Sequence, residues 1–424
     1  MQYTFSKEAD KKVAEDLEII IKEIRNRVPK VLSIILTGGF ARGEGPIKKV
    51  GQKFIPYNDY DLQIISLQKV SKEEIDDIAT KISKVLGYGG IKEIFYPFKK
   101  TNQKMAKSFY IDLKCDTPAD LKKFLPRLRN YELKYASKII YGKEVRNLIP
   151  GFKMKEIPLS DSAKLLLDRV SQLIEYYSTK EEYDPEILSY SIQQAYAACC
   201  TSLLVLVGKY ETGYKKSTEI FKQNYSKYFP KLKKKIPDLD KKIEQFFLWK
   251  VNPNKKIIAN LKDEWFIVKE NILEVAKYFF GEFLSQDIKT EDELVEGILN
   301  MRDIFYTPYI NIILKSKLGS GFGKFSKILV SGVSIILKYK YNKRLNNIGI
   351  KKKISLIGPA PELSIFASVI YLISSISRGN KIDYSKLLKG IKILKMAYPV
   401  KSKKWDEISE EFANAYIAFF MQKI

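Results

Sequence analysis

The 424-residue sequence contains no histidine and only three cysteines, Cys115, Cys199 and Cys200. These absences exclude a zinc site built from cysteine and histidine, and every mechanism that relies on an imidazole. Long hydrophobic runs are lacking too. The most apolar segment, "LSIFASVIYLISSI", is shorter than the roughly 18 residues of a membrane span, so we expect a buried helix there. The first residues, "MQYTFSKEADKKVAEDLEII", are charged and amphipathic, unlike a secretory signal. We therefore expect a cytoplasmic protein with no membrane span.

Acidic residues are scarce in the last third of the chain. From Lys315 to Lys404 there are twenty Lys or Arg and only two acidic residues, Glu362 and Asp383. Such a one-sided block is typical of a surface that binds a polyanion, although a solvated lysine-rich surface would have the same composition. The candidate contacts with nucleic acid are Lys351, Lys352 and Lys353. Aromatic residues in the block would either stack on bases or belong to the core: Phe322, Phe325, Tyr339, Tyr341 and Tyr384.

The pattern of apolar residues divides the chain into three parts. Residues 1–150 combine strand-like runs with two amphipathic helical segments, which predicts a small domain with a mixed sheet. Helical patterns dominate afterwards, so residues 151–314 are predicted to form a helical domain. Residues 315–424 are predicted to form a basic helical domain that binds the acceptor or nucleic acid. The predicted class is α+β, with a large all-α region after the sheet.

A glycine-rich turn follows the first predicted strand. The apolar run "VLSIIL" leads directly into "TGGFARGEG". Glycine at this density indicates a sharp bend or a close approach to another group. The N–H groups of such a turn, with a helix behind them, can hold the phosphates of a nucleotide.

Carboxylates follow in the segment "KFIPYNDYDLQIIS", which reads as one strand. Strand alternation places Asp59 and Asp61 on the same side. Adjacent carboxylates repel each other, and an oxygen-binding cation such as Mg²⁺ is the simplest compensation. In the strand "SFYIDLKC", Asp112 would supply a third carboxylate and complete a two-metal site. Asp116 on the same strand and Glu93 on the preceding one are the alternatives.

Turn, carboxylate pair and third carboxylate, in "GGFARGEG…NDYDL…IDL", resemble the polymerase-beta-type nucleotidyltransferase superfamily, and the "ARGE" stretch is closest to the minimal nucleotidyltransferases. The resemblance implies that Asp59 and Asp61 bind two Mg²⁺ or Mn²⁺ ions. Asp112 would bind the catalytic ion and help to activate the acceptor hydroxyl. The phosphates of an NTP would contact Gly38 and Gly39, with Arg42 and Glu44 close by.

The sequence departs from the pattern of this superfamily at two points. Gly39 replaces a frequent serine, so a hydroxyl contact to phosphate is lost. The spacer between Gly39 and Asp59 is longer by a short hairpin, "PIKKVGQKFIPY". The resemblance also implies that a helical domain closes over the nucleotide. Its candidate contacts lie in "VGKYETGYKKS", a segment that an ordinary helix terminus would explain equally well: Lys209, Tyr214, Lys215 and Lys216.

Three functions are compatible with these features. The first is template-independent transfer of NMP from an NTP or dNTP to the 3′ end of an RNA or DNA. The second is transfer to the hydroxyl of a small molecule, a sugar or a protein. The third is a non-catalytic module that binds nucleic acid or an anionic membrane. The intact carboxylates favour an enzyme, and the basic block favours the first function over the second.

Overall fold

The computed structural model of the chain describes residues 2–88, 111–180, 185–253, 260–318, 326–350, 354–355 and 358–421. Within them a small mixed sheet lies in the N-terminal part and helices form the rest, so the predicted α+β class is confirmed. Several sequence predictions lie outside the described residues: the strand "GIKEIFYPF", the alternative carboxylate Glu93, the aromatic residues Phe322 and Phe325, and Lys351, Lys352 and Lys353.

Among the described residues, the N-terminal part contains six strands and five helices longer than one 3-10 turn. The strands are β1 (Val31–Leu36), β2 (Ile47–Val50), β3 (Lys53–Pro56), β4 (Tyr60–Ser66), β5 (Ile111–Asp116) and β6 (Lys138–Gly142). The helices are α1 (Lys7–Arg27), α2 (Gly38–Arg42), α3 (Lys72–Val85), α4 (Pro118–Leu121) and α5 (Leu128–Tyr135).

Four of these strands form one sheet in the order β5-β4-β1-β6. β1 is antiparallel to β4 and β6, whereas β4 and β5 are parallel, with Asp61 directly opposite Asp112. Strand alternation sends Leu62 and Ile64 into the core beneath α1 and α3. The other face of β4 therefore presents Asp61 and Gln63 away from those helices.

The predicted single strand from Lys53 to Ser66 is wrong, because the structure divides it into β3 and β4. β3 pairs with β2 in a separate two-stranded hairpin, which is the predicted insertion before the carboxylates. Pro56 ends β3, since proline has no N–H to donate to a strand partner. The chain then turns through Tyr57, whose N–H donates to the Pro46 carbonyl at 2.9 Å. Asp59 consequently lies just before β4 rather than inside a strand.

The remaining elements are mostly helices. They are α6 (Leu159–Glu175), α7 (Pro185–Leu206), α8 (Tyr214–Tyr228), α9 (Pro230–Lys235), α10 (Leu239–Val251), α11 (Leu261–Leu284), α12 (Glu291–Asn300), α13 (Arg302–Leu318), α14 (Ser326–Asn347), α15 (Pro361–Ser374), α16 (Tyr384–Leu394) and α17 (Trp405–Tyr416). The short strands β7 (Ile376–Ser377) and β8 (Lys381–Ile382) pair between α15 and α16.

One apolar core connects these helices, with members from Ala163 to Ala418. It contains the buried residues Cys199 and Cys200, and α15 is buried along its length as predicted. No helix among the described residues combines the length and the apolar character that crossing a bilayer requires. The predicted boundary between residues 314 and 315 falls inside α13. The division into three domains stays a prediction.

Candidate active site

Three carboxylates converge at the beginning of β4 and β5. Asp61 and Asp112 are register partners on the two strands, and Asp59 precedes β4 by one residue. One oxygen of each of the three carboxylates lies within 4.8 Å of the others, and all three residues are half-buried. The alternative residue Asp116 lies further along β5, where it accepts a hydrogen bond from Gln63 Nε2 at 2.7 Å. The structure thus brings the three predicted metal ligands together and holds Asp116 elsewhere.

The environment of this carboxylate cluster disfavours the fully ionised state. Burial raises the pKa of Asp61 to about 6, and the negative charge of Asp112 adds to the effect. Lys114 Nζ donates to Asp112 Oδ2 at 2.7 Å and offsets part of the repulsion. The negative charge of these carboxylates is only partly compensated, and their oxygen atoms suit a hard divalent cation such as Mg²⁺ or Mn²⁺. The donor atoms therefore fit the predicted metal site.

The glycine turn lies against the same cluster. Gly38 opens α2 with φ +68°, a left-handed conformation that favours glycine. A Cβ atom at this position would overlap the carboxylate of Asp61. The Thr37 N–H donates to the Asp61 carbonyl at 2.9 Å and fixes the turn to β4. The position of the Asp61 carboxylate therefore favours a residue without a side chain at position 38. The predicted contacts of Gly38 and Gly39 with phosphate stay predictions.

Arg42 and Glu44 connect the glycine turn to the helical region. The carboxylate of Glu44 accepts the N–H of Tyr214 at 3.0 Å and that of Lys215 at 2.8 Å, at the N-terminus of α8. Arg42 Nε donates to Glu44 at 3.2 Å, and its guanidinium lies 5.1 Å from the centre of the Tyr214 ring. Both oxygens of Glu44 are therefore already used within the protein. The predicted role of Glu44 in nucleotide binding remains a prediction.

A central cavity of about 750 Å³ separates the sheet from α6, α7, α8 and α10. This volume falls in the range of small-molecule and cofactor sites. Several basic side chains line it, and the motif analysis missed all of them except Arg42: Arg42, Lys114, Arg129, Lys164, Arg169 and Lys250.

Lys250 on α10 is the most informative of these cations. Its side chain is only 7% exposed. Within the described part of the chain, its ammonium group forms neither an ion pair nor a hydrogen bond. It lies 4.5 Å from the ring centre of Tyr214 and 6.0 Å from that of Tyr190. The ammonium group lines the central cavity, so an anion bound there would pair with it.

Tyr190 relates this cation to the carboxylates. Its pKa is raised by burial and, to a smaller extent, by the nearby charge of Asp59. Lys250 therefore lies beside a tyrosine whose pKa is affected by the charge of a carboxylate in the cluster. The sequence gives one weak signal for this arrangement, a lysine within the apolar stretch "FFLWKV".

The four candidate residues of the segment "VGKYETGYKKS" separate in the structure. Tyr214 lines the central cavity. Lys215 and Lys216 instead line an outer pocket of about 500 Å³ together with Gly43 and Glu44. Lys209 is exposed at the end of α7. The structure brings one of the four candidates, Tyr214, to the cavity.

The aromatic residues of the basic C-terminal block include both buried and exposed rings. Tyr341 is buried, with its ring centre 5.0 Å from that of Phe419, so it belongs to the core. Tyr339 and Tyr384 are exposed on α14 and α16. These two rings are accessible to a partner, and stacking on bases stays a prediction for them.

No protein-family model matches the chain, and no curated protein matches it either. The function must therefore be argued from the site.

Proposed function

We propose that the protein is a metal-dependent nucleotidyltransferase that transfers NMP from an NTP or dNTP to an acceptor hydroxyl. The observation that carries this proposal is the convergence of Asp59, Asp61 and Asp112 beside the glycine turn. Three carboxylates on neighbouring strands are the ligand set of a two-metal site for in-line phosphoryl chemistry. The motifs that resemble the polymerase-beta-type superfamily lie at these same positions.

Each of the three carboxylates would have a distinct role in holding the metal ions. Asp59 and Asp61 would hold both ions, and Asp112 would hold the ion next to the acceptor. Bound ions would neutralise charge on the triphosphate and polarise the acceptor oxygen. That oxygen forms a bond to the α-phosphorus while the bond to the pyrophosphate oxygen breaks, and the hydroxyl proton leaves towards Asp112. Lys114, which pairs with Asp112 in the structure, would be released to contact phosphate.

The central cavity supports a polyphosphate substrate. Lys250 lines the cavity and lies over the Tyr214 ring, and among the described residues its positive charge has no ion pair. Charge-assisted hydrogen bonds from such a cation to phosphate are among the stronger polar contacts in proteins. We place the triphosphate between the glycine turn and Lys250, with the ribose and base in the cavity.

For the acceptor we propose the 3′ end of an RNA or DNA strand, extended without a template. The one-sided charge of the region from Lys315 to Lys404 supports a polyanionic acceptor. Transfer to a small molecule, a sugar or a protein hydroxyl is the alternative.

The test is a transfer assay with each labelled NTP or dNTP, Mg²⁺ or Mn²⁺, and single-stranded RNA, single-stranded DNA or no added acceptor. We expect label on one nucleic acid with the wild-type protein and none with Asp59→Asn. Asp287→Asn is the matched control, since Asp287 is an exposed carboxylate outside the site. Wild-type activity in Asp59→Asn would refute the two-metal proposal.

Lys250→Met provides a second test that does not depend on turnover. The substitution removes the buried charge and keeps most of the side-chain volume. We expect NTP affinity to fall about tenfold, the effect of one charge-assisted hydrogen bond. The thermal stability of the nucleotide-free protein should change little, because the substitution breaks no ion pair or hydrogen bond within the described residues. Unchanged NTP affinity would place the triphosphate elsewhere.

A further inference from the structure

A second cleft opens beside the central cavity. It has a volume of about 360 Å³ and is lined by Lys123, Arg127, Arg129, Asn130 and Asp161 among others. The cleft shares Arg129 and Asp161 with the central cavity. Arg129 also lines the small pocket of about 140 Å³ that contains Asp61 and Asp112. This one arginine therefore borders all three spaces, and the cleft adjoins the candidate active site.

Contacts within the protein fix the cations of this cleft in place. The guanidinium of Arg127 lies 4.6 Å from the ring centre of Tyr309 on α13. Arg129 Nη2 donates to Gln63 Oε1 at 3.1 Å. Asp161 accepts the Leu128 N–H at 2.8 Å and the Tyr309 hydroxyl at 2.8 Å, which anchors the start of α5. The cleft is thus a built feature rather than a set of loose surface side chains.

Nearby carboxylates, including Asp161 in the lining, offset only part of the positive charge of the cleft. Lys123, Arg127 and Arg129 are all exposed, and none of them forms an ion pair with another residue in the described ranges. The carboxylate of Asp161, which also lines the cleft, is already occupied by two hydrogen-bond donors. An anionic group is the ligand that this arrangement lacks.

The position of the cleft relative to the carboxylates indicates which substrate would use it. Thr37 and Gly38 lie beside Asp61, near the beginning of β4. Gln63, which holds Arg129, lies two residues further along β4, a distance of about 7 Å. In an in-line displacement the attacking oxygen and the leaving group stand on opposite sides of the phosphorus. With pyrophosphate at the glycine turn, the acceptor must approach from the side of Gln63 and Arg129.

We propose that this cleft binds a phosphate group of the acceptor, next to the hydroxyl that receives the nucleotide. The proposal rests on the nucleotidyl transfer proposed above. Arginine pairs suit phosphate because each guanidinium can donate two parallel hydrogen bonds. The volume admits a group of about the size of one nucleotide. The phosphate would come either from the last phosphodiester of a nucleic-acid strand or from a phosphorylated small molecule.

Direct binding of a dye-labelled single-stranded RNA, without NTP or divalent metal, tests the cleft apart from catalysis. We expect Arg127→Gln and Arg129→Gln each to weaken binding about tenfold, as expected for lost charge-assisted contacts. Each variant should also reduce the slope of log affinity against log salt by roughly 0.7.

Arg25→Gln is the matched control for Arg127→Gln. Arg25 is likewise exposed and lies 4.7 Å from the ring centre of Tyr141, so the substitution removes the same charge and the same kind of ring contact. A second probe, ribose 5-phosphate, identifies the source of the phosphate. If it binds with the same dependence on Arg127 while RNA does not bind, the acceptor is a phosphorylated small molecule. If neither probe binds, or if Arg127→Gln and Arg25→Gln bind alike, the proposal is overturned.

The two proposals fail separately. Asp59→Asn should bind the probe like the wild-type protein, because the cleft does not include Asp59. Loss of probe binding in the arginine variants, together with no transfer by the wild-type protein, would remove the proposed reaction and keep the phosphate site. Transfer with an unchanged acceptor KM in Arg127→Gln would keep the proposed reaction and remove the phosphate site. Charge reversal at Lys351, Lys352 and Lys353 tests whether the basic block also binds the RNA probe. We expect a smaller loss of RNA affinity than with the arginine variants.

Discussion

Asp61 makes the metal-free protein sensitive to pH. Its pKa is about 6 in the folded state and about 3.9 for an unperturbed aspartate. Between these values the folded state binds more protons than the unfolded state. The free energy of unfolding should therefore fall as pH rises through about 4 to 6, by on the order of 1–3 kcal/mol.

Thermal melting in EDTA across this pH range measures the effect. We expect Asp61→Asn to lack most of the decline and to be more stable than the wild-type protein at pH 7. Mg²⁺ competes with the same proton, so its apparent affinity should increase up to about pH 6 and level off above it. An identical pH profile in the wild type and the variant would show that Asp61 ionises normally.

Gly38→Val should disable the site through the carboxylate that it touches. Its Cβ would overlap the Asp61 carboxylate, and a β-branched residue in a left-handed conformation costs about 1–3 kcal/mol. We expect a folded, less stable protein that Mg²⁺ with NTP no longer protects against heat. Gly151→Val is the control, since nothing lies within 4 Å of that position. Normal protection in Gly38→Val would show that the turn tolerates a side chain.

At the level of secondary-structure elements, Glu44 is the cap of α8. Glu44→Ala should lower the free energy of unfolding by about 2–3 kcal/mol, because two N–H groups at the helix N-terminus lose a charged acceptor. Tyr214 would also lose its anchor, so NTP affinity should decrease with it. Urea denaturation measures the free energy of unfolding of Glu44→Ala. Glu211→Ala is the control, since Glu211 is an exposed glutamate paired with Lys216. Equal stability of the two variants would argue that Glu44 serves only the nucleotide.

Some of the candidate site could be predicted because its chemistry is local. The period of two in "YDLQII" places Asp61 and Gln63 on one face, and β4 has that alternation. The hairpin before Asp59 and the helix behind Ser71 follow from turn and capping residues close in sequence. Such signals depend on neighbouring residues only, so the sequence alone carries them.

Other parts depend on contacts between distant elements. The parallel pairing that sets Asp61 against Asp112 is a tertiary event. Lys250 meets Tyr214 only after α10 packs on α8, so the lysine in the apolar stretch "FFLWKV" is at most a weak local signal of the site. The hydrogen bonds of Glu44 to α8 are equally distant in sequence. Periodicity locates strands and helices, whereas packing decides which side chains meet.

At the scale of the whole molecule, one apolar core includes helices on both sides of residue 314. Trp405 on α17 lies 5.8 Å from Tyr177, between ring centres, and Asp406 accepts the Thr179 N–H at 3.0 Å. A chain that ends at residue 314 would expose the apolar surface that α15 and α17 cover. We expect this fragment to bind a hydrophobic dye and to lose a cooperative thermal transition that the full chain shows. A sharp transition in the fragment would support the predicted division into three domains.

The order in which a ribosome makes this chain separates the parts of the site in time. Asp59, Asp61 and Asp112 leave the exit tunnel early, whereas Lys250 and Tyr309 follow more than a hundred residues later. N-terminal units generally fold first during translation. The nascent sheet would therefore carry its carboxylates, with Glu44 not yet bonded to α8, before Lys250 is made. If the proposed function holds, nucleotide binding should begin only when translation is well past α10, and an unfinished chain on the ribosome should not consume substrate.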